Sequence, residues 1–240
     1  FYAPAQIVGD ARDNGVDVRP VDVNLSSWDN TLEPTDGKYA AVRLGFRQLT
    51  GLREDEMEAL TRARGPGFER PDEIRRRAKI SRRSLELLAA ADAFRSMKRD
   101  RRAALWAARG EAAGQTLPLF AAADIAEQGE EEAALLPNMP ASEHVIQDYQ
   151  TTRLSLKDHP LHFLRARYRS YGLMTTSEAV AARNGTRVRT VGVVLVRQRP
   201  GSASGVFFVT LEDETGIATL VVWPRVGAVS RPVSMGARIM

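Results

Sequence analysis

The sequence contains no cysteine, which excludes a disulfide framework and any zinc site built on thiolates. It has three histidines, and His159 and His162, on either side of Pro160, lack a third ligand at a suitable spacing. We therefore predict no metal site. No apolar run is long enough to cross a bilayer and no signal peptide opens the chain, which predicts a cytoplasmic protein without membrane contact.

Signatures of catalysis are also missing. The chain has no phosphate-binding loop of the GxxxxGK[ST] type, no G-x-S-x-G elbow and no carboxylate pair in a catalytic context. The acidic residues Glu212, Asp213 and Glu214 precede Thr215 and Gly216, a pattern that predicts a tight turn rather than a metal cluster. We predict no catalytic residue and no cofactor in this chain itself.

The charge is small in sum but unevenly distributed. The 240 residues carry 34 basic and 30 acidic side chains, a net charge of +4, and allow one large domain or two to three small ones. Residues 62–102 hold 14 Lys and Arg against 6 Asp and Glu, whereas residues 110–152 hold 8 acids and no Lys or Arg. Because the chain opens on Phe1 and stops within a β-pattern, we expect it to be a piece of a longer protein.

The basic region contains a pattern of helix, short hairpin and helix that occurs twice. The turn Thr50-Gly51-Leu52 precedes a predicted helix over Arg53–Arg64, with Met57 and Leu60 on one face. Lys79 and Ile80 form a second turn, and Ser81 is expected to cap a helix over Arg82–Ala91. A further helix, about Arg99–Arg109, is expected to bury Trp106. We name Thr50–Leu52 the first hairpin and Lys79–Ser81 the second hairpin.

Such hairpins can bind a DNA phosphate. The first backbone N–H groups of the following helix have no intrahelical partner and lie at the positive end of the helix dipole. Gly51 gives a phosphate room to approach, and nearby side chains add charge or hydroxyl donors. The candidate duplex-binding residues are Gly51, Arg53, Lys79, Ser81, Arg82 and Arg83. A solvated basic face on an ordinary helical bundle is the alternative.

The acidic stretch after this region reads as a flexible linker with one apolar island. The island spans residues 115–120, and its candidate contacts are Gln115, Leu117, Leu119 and Phe120. Such a short segment can dock into an apolar groove on a partner protein. The alternative is that it folds back onto the helical domain.

Three apolar β-type runs between 188 and 224 predict a sheet that could bind single-stranded nucleic acid. Phe208 is the candidate for base stacking, and Arg197, Arg199 and Arg225 are the candidates for phosphate contact. Trp223 shares strand parity with aliphatic neighbours, so we expect it to face the core.

Several segments, taken in order, resemble the C-terminal part of bacterial C-family DNA polymerases, most closely the error-prone alpha-subunit type of damage-induced mutagenesis. They are FYAPAQIVGDARDNGVDVRPVDVN at 1–24, LGFRQLTGL at 44–52, SRRSLELLAAADAF at 81–94, LSLKDHPL at 154–161 and LVRQRPGSASGVFFVTLEDETGIATLVVWP at 195–224. The resemblance covers nearly the whole chain.

The resemblance implies an α+β, multi-domain fold in five segments. These are the end of a fingers-like region (1–38), a tandem helix-hairpin-helix DNA-binding domain (39–112), an acidic flexible linker with the clamp-motif-like segment (113–142), a helical connector (143–187) and an incomplete OB-fold barrel (188–240). The catalytic aspartates and the magnesium ions of the parent polymerase would then belong to a palm region outside this chain.

The implied function is to position primer–template DNA in translesion synthesis. The implied partners are DNA, as primer–template, duplex or single strand, with a sliding clamp and mutasome accessory proteins as further candidates. Three alternatives remain open: a protein-interaction module that recruits the clamp or those accessory proteins, the tail of a replicative polymerase, and a stand-alone DNA-binding protein.

Overall fold

The computed structural model describes residues 4–110, 137–229 and 236–240, which form two compact units that divide between Leu156 and Lys157. Both units combine helices with a three-stranded sheet, so the α+β class is confirmed. The division falls inside the range 143–187, which the sequence suggested as one connector. The five-segment scheme itself stays a prediction.

The helices and strands of the described residues have the following bounds. In the first unit they are α1 (Pro4–Asp13), β1 (Val18–Arg19), β2 (Thr31–Glu33), β3 (Ala41–Arg43), α2 (Glu54–Ala63), α3 (Pro71–Ala78), α4 (Arg82–Ala90), α5 (Arg101–Gly110) and α6 (Ala141–Thr151). In the second unit they are α7 (Arg165–Ser170), α8 (Thr176–Ala181), β4 (Val193–Gln198), β5 (Phe207–Asp213), β6 (Gly216–Val222) and α9 (Pro224–Val229). Short 3-10 turns cover Phe46–Gln48, Arg95–Met97 and His162–Leu164.

The small sheet of the first unit has β3 at its centre, parallel to β1 and antiparallel to β2. Glu33 of β2 accepts hydrogen bonds from Arg43 at 2.7 Å and from Arg19 at 2.5 Å. The hydrogen bond from Arg43 is the main cause that lowers the pKa of Glu33 to about 2, and that from Arg19 adds to it. This carboxylate therefore ties all three strands together at one edge of the unit.

The core of the first unit lies among α2, α3, α4 and α5. Its largest apolar members are fully buried and come from α2, α3, α4 and the turns beside them: Phe46, Met57, Leu60, Ile74, Leu85, Leu88 and Phe94. Ile80, at the middle of the second hairpin, is 4% exposed and belongs to the same core. Each hairpin is thus held from beneath by apolar packing while its polar atoms stay at the surface.

The expected burial of Trp106 is wrong, since its side chain is 60% exposed. The face of α5 that packs inward carries Ala104 and Ala108, both fully buried, together with Arg101. Residues three and seven positions after Arg101 lie on the same side of the helix as Arg101 itself. Trp106, five positions after it, lies outside this buried stripe. The position of the aromatic ring therefore did not identify the buried face of α5. That face carries two alanines, which allow the close approach of α4 and α5.

The sheet of the second unit is antiparallel, in the order β4-β5-β6, and each of the three predicted β-runs contributes a strand. A two-residue turn joins β5 to β6. There the Asp213 carboxylate accepts from the N–H and the hydroxyl of Thr215 at 2.8 and 2.7 Å. The predicted tight turn is therefore present. Arg165 of α7 pairs with Asp213 and Glu214 and anchors this turn to the helices.

The expected core position of Trp223 is wrong as well, because its side chain is 64% exposed. Val222 pairs with Phe207, and Ala218 pairs with Leu211, so the even-numbered residues of β6 share the buried side of the sheet. Trp223 follows the odd-numbered residues onto the other side. Apolar residues occupy both faces of β6, so the sequence pattern did not show which face packs inward.

Candidate nucleic-acid interface

The first hairpin is an exposed bend built on a glycine. Gly51 has φ +94°, a conformation that favours glycine, and it is solvent exposed. A Cβ added to Gly51 would lie 3.5 Å from Leu87 Cδ1 and 3.9 Å from an Arg83 guanidinium nitrogen. The first hairpin therefore lies beside α4, the helix that follows the second hairpin, and the two predicted hairpins share one surface.

The charge at the first hairpin is mostly compensated. Helix α2 begins after Arg53, and its first turn is Glu54, Asp55 and Glu56. Arg53 donates to Asp55 at 2.5 and 3.0 Å, and this pairing raises the pKa of Arg53 and lowers that of Asp55. Carboxylates at a helix N-terminus already favour its dipole. The first hairpin is therefore accessible to a ligand, but it adds little net positive charge to the surface.

The second hairpin has a well-formed helix start. Lys79 adopts the left-handed conformation, with φ 54°, and its N–H donates to the carbonyl oxygen of Arg75 at 2.9 Å. Ser81 caps α4, since its hydroxyl oxygen accepts from the Ser84 N–H at 3.2 Å. The cap predicted from the sequence is present. The next amides, those of Arg82 and Arg83, belong to the first turn of α4, where no intrahelical acceptor exists.

Unlike Arg53 at the first hairpin, two cations at the second hairpin lack an ion-pair partner among the described residues. The first turn of α4 has no acidic residue. Arg82 pairs with Glu86 at 2.8 Å and lies 3.5 Å from the carbonyl oxygen of Arg109. Lys79 and Arg83 are exposed, and neither has a side-chain partner among the described residues. These two cations and the adjacent amides form the strongest anion-attracting feature of the shared surface.

One acidic residue joins the two hairpins, and sequence reasoning missed it. The Glu56 carboxylate accepts from the Ser81 N–H at 3.1 Å and from the Ser81 hydroxyl at 3.3 Å, and it also bonds the Ser84 hydroxyl. Glu56 is 25 residues away from Ser81 in the chain. The pattern of α2 places Glu56 in a helical first turn but gives no sign of a contact with another hairpin.

Several other arginines of the basic region serve the fold instead of the surface. Arg77 donates to the carbonyl oxygens of Ala63, Arg64 and Gly67 and lies 4.7 Å from the ring centre of Phe68. The Arg64 side chain is likewise held by backbone carbonyl oxygens, and burial lowers its pKa. The formal charge of residues 62–102 therefore overstates the charge that faces a ligand.

The candidate residues of the second unit do not converge on one site. Arg197 pairs with Val209 and shares the face of Phe207, whereas Phe208 pairs with Gln198 on the opposite face. Arg197 and Arg199 line a pocket with Phe207 and the start of α9, and Arg197 donates to the carbonyl oxygen of Ala237. Arg225 is exposed on α9, and Phe208 is partly buried.

The remaining predictions concern absent or undescribed features. The clamp-motif candidates Gln115, Leu117, Leu119 and Phe120 lie outside the described residues. Within residues 4–110, 137–229 and 236–240 there is no group of three or more His, Asp or Glu side chains arranged to hold a metal ion. The helices found in these ranges are all too short or too polar to span a membrane.

The geometry of the first unit is that of a helix-hairpin-helix DNA-binding module. In agreement, the family model described as "Helix-hairpin-helix motif" matches residues 15–104. This match contains both hairpins and extends from the small sheet to α5.

Three curated relatives are named "Error-prone DNA polymerase" and match the whole chain. They come from Brucella abortus biovar 1 (strain 9-941), with 52% identity, Rhodopseudomonas palustris (strain HaA2), with 54%, and Bradyrhizobium sp. (strain ORS 278), with 44%. The chain spans 22% of the length of the first two relatives and 27% of the third. The sequence resemblance to error-prone DNA polymerases is therefore confirmed over the whole of this chain.

Proposed function

We propose that the chain is the DNA-binding region of an error-prone DNA polymerase and that it holds primer–template DNA by its backbone phosphates during translesion synthesis. The observation that carries the proposal is the second hairpin. There, Lys79 and Arg83, which lack ion-pair partners among the described residues, flank the start of α4, and Arg83 lies next to the exposed Gly51 bend. Helix N-termini with such flanking cations suit a phosphate oxygen.

Contacts of this kind suit a polymerase. Phosphate contacts fix the position and orientation of a duplex but carry no sequence information. A polymerase must bind every template that it copies, so a grip through amides and guanidinium groups meets that need. Buried apolar residues beneath the hairpins, such as Ile80, keep the amides in place before DNA arrives.

Nucleotide transfer is assigned to other parts of the polymerase. The whole enzyme would add deoxynucleotides at two magnesium ions held by palm aspartates. The described residues of this chain do not form a cluster that fits such ions. Their role is to bind and orient DNA. Because we propose that the chain is part of a bacterial DNA polymerase, we also propose that it acts in the cytoplasm.

The second unit supports a further part of the proposal, an OB-type barrel over 188–240 that binds the single-stranded template. After α9, the described residues 236–240 return to β4: Met240 exchanges two backbone hydrogen bonds with Gly192, and the Val194 N–H donates to Arg238. A segment that returns to pair with the first strand of a three-stranded meander is consistent with such a barrel. Arg199, Arg225 and Phe208 remain its candidate contacts.

The rival proposal is a protein-interaction module, in which the clamp-like segment and the barrel recruit a sliding clamp or mutasome proteins and DNA binding is incidental. A charge reversal separates the two. We expect R82E/R83E to weaken duplex binding by at least about tenfold in dilute salt and to flatten the salt dependence by about one unit per lost phosphate contact. Fluorescence anisotropy with a labelled primer–template measures both quantities.

The matched control is R12E/R62E, which changes the net charge equally. Both residues are exposed and have no side-chain partner among the described residues. We expect this variant to bind within about twofold of the wild type, because its charges lie away from the hairpins and are screened. If R82E/R83E binds as tightly as R12E/R62E, DNA binding through the second hairpin is excluded.

A further inference from the structure

We propose that Glu56 acts as an internal phosphate mimic, which fills one end of the second hairpin and limits the affinity of this surface for DNA. This inference rests on the proposed function, because it concerns the same surface. Glu56 is a positioning residue here, and no contact between its carboxylate and DNA is implied.

First, the Glu56 carboxylate occupies hydrogen-bond donors at the start of α4. Its two oxygens accept from the Ser81 N–H at 3.1 Å, from the Ser81 hydroxyl at 3.3 Å and from the Ser84 hydroxyl. A backbone amide and hydroxyls at the start of a helix are the donors that a phosphate oxygen would otherwise use. Ser81 was a predicted DNA contact, but its donors are already taken by an anion of the same protein.

The second step is where the phosphate then binds. With Ser81 occupied, the next first-turn amides are those of Arg82 and Arg83. Arg83 also lies beside the Gly51 bend of the first hairpin. The phosphate position therefore moves from the cap of the second hairpin toward the junction between the two hairpins.

The third step is the electrostatic consequence. Glu56 places a negative charge next to the cations of the second hairpin, and a DNA phosphate at the junction must approach that charge. Like charges a few ångströms apart repel strongly near a protein surface, and salt screens the effect. Glu56 thus pre-organises the Ser81 cap and at the same time weakens DNA binding, which favours release of the duplex as the polymerase moves.

The test is duplex affinity in E56Q. Glutamine keeps an oxygen that accepts from the Ser81 N–H but loses the charge. We expect E56Q to bind a primed duplex roughly threefold more tightly than the wild type in dilute salt, and the gain to vanish at high salt. E58Q is the matched control, because Glu58 is exposed on the same helix and has no side-chain partner among the described residues.

Two further variants keep the test decisive. E56D retains the charge and should show no gain in affinity. E56A loses both the charge and the hydrogen bonds, so it should gain affinity while its thermal midpoint falls. All measurements are made well below each variant's own melting temperature. The inference is overturned if E56Q binds no more tightly than the wild type and E58Q, or if E56D gains as much as E56Q.

Failure here is distinct from failure of the proposed function. If R82E/R83E loses DNA affinity and E56Q gains none, the hairpin binds DNA without attenuation by Glu56. If R82E/R83E loses no affinity, the surface does not bind DNA through the second hairpin at all, and the role of Glu56 falls with it.

Discussion

Arg101 of α5 and Asp148 of α6 form an ion pair inside the first unit, where the arginine side chain is fully buried and the aspartate side chain is 9% exposed. Arg101 also donates to the carbonyl oxygen of His144 at 2.7 Å. The pair fastens α6 to the hairpin domain across 47 residues of sequence. A helix from beyond the acidic stretch is therefore part of the unit that carries the two hairpins.

Breaking this pair on one side should strongly destabilise the first unit. Asp148→Asn leaves a buried guanidinium without its counter-charge, which costs about 3 kcal/mol of unfolding free energy. The partly exposed pair between Arg102 and Glu143, joined at 3.1 Å, is the control. Glu143→Gln should cost less than about 1 kcal/mol. Urea unfolding followed by circular dichroism measures both, and equal effects would contradict the account.

Substitution of Lys79 should affect stability and DNA binding in different ways. Its left-handed backbone, φ 54°, strains a residue that has a side chain. Lys79→Gly removes this strain, so the unfolding free energy should stay equal or rise by up to about 1 kcal/mol. It also removes a positive charge that has no ion-pair partner among the described residues, so duplex affinity should fall about threefold or more in dilute salt.

Lys98→Gly is the control for Lys79→Gly. Lys98 has nearly the same backbone conformation, φ 57°, and is also exposed, but it follows another turn. We expect a similar effect on stability and almost no change in duplex affinity, as read by thermal melting and anisotropy. If Lys98→Gly lost as much affinity as Lys79→Gly, the effect would come from the net charge of the chain and not from the position of Lys79 in the second hairpin.

The lowered pKa of Glu33 predicts how the stability of the first unit changes at acid pH. Its pKa is lowered from 4.5 to about 2 in the folded protein, mainly by the hydrogen bond from Arg43. A depressed pKa contributes stability that is complete above pH 4.5 and is lost as the pH falls toward 2. Glu33→Gln should lower the unfolding free energy at pH 7 by about 1 kcal/mol, since solvent screens part of the pairing.

The same variant should reduce the loss of stability between pH 4.5 and 2, because the titrating group is gone. Glu58→Gln, on an exposed face of α2, should leave the acid profile unchanged. Denaturant midpoints measured at several pH values provide the comparison. If the stability of Glu33→Gln changed with pH in the same way as that of the wild type, protonation of Glu33 would not be linked to folding.

Local patterns predicted the parts of this fold that depend on nearby residues. The Ser81 cap, the Gly51 bend and the turn at Asp213 all follow from short-range hydrogen bonding and backbone preference. Trp106 and Trp223 were misplaced because an aromatic ring fits either side of an element until its neighbours are known. Glu56 and Arg77 were missed as structural ties, since their partners are far away in sequence or are backbone carbonyls.

The salt dependence of duplex binding by the 240-residue chain tests the central claim most directly. If phosphates are held by Lys79, Arg82 and Arg83, the logarithm of the association constant should fall with the logarithm of salt concentration with a slope of about −3, near −0.9 for each contact. Binding to a primer–template that is absent in dilute buffer, or that is independent of salt, would contradict the account.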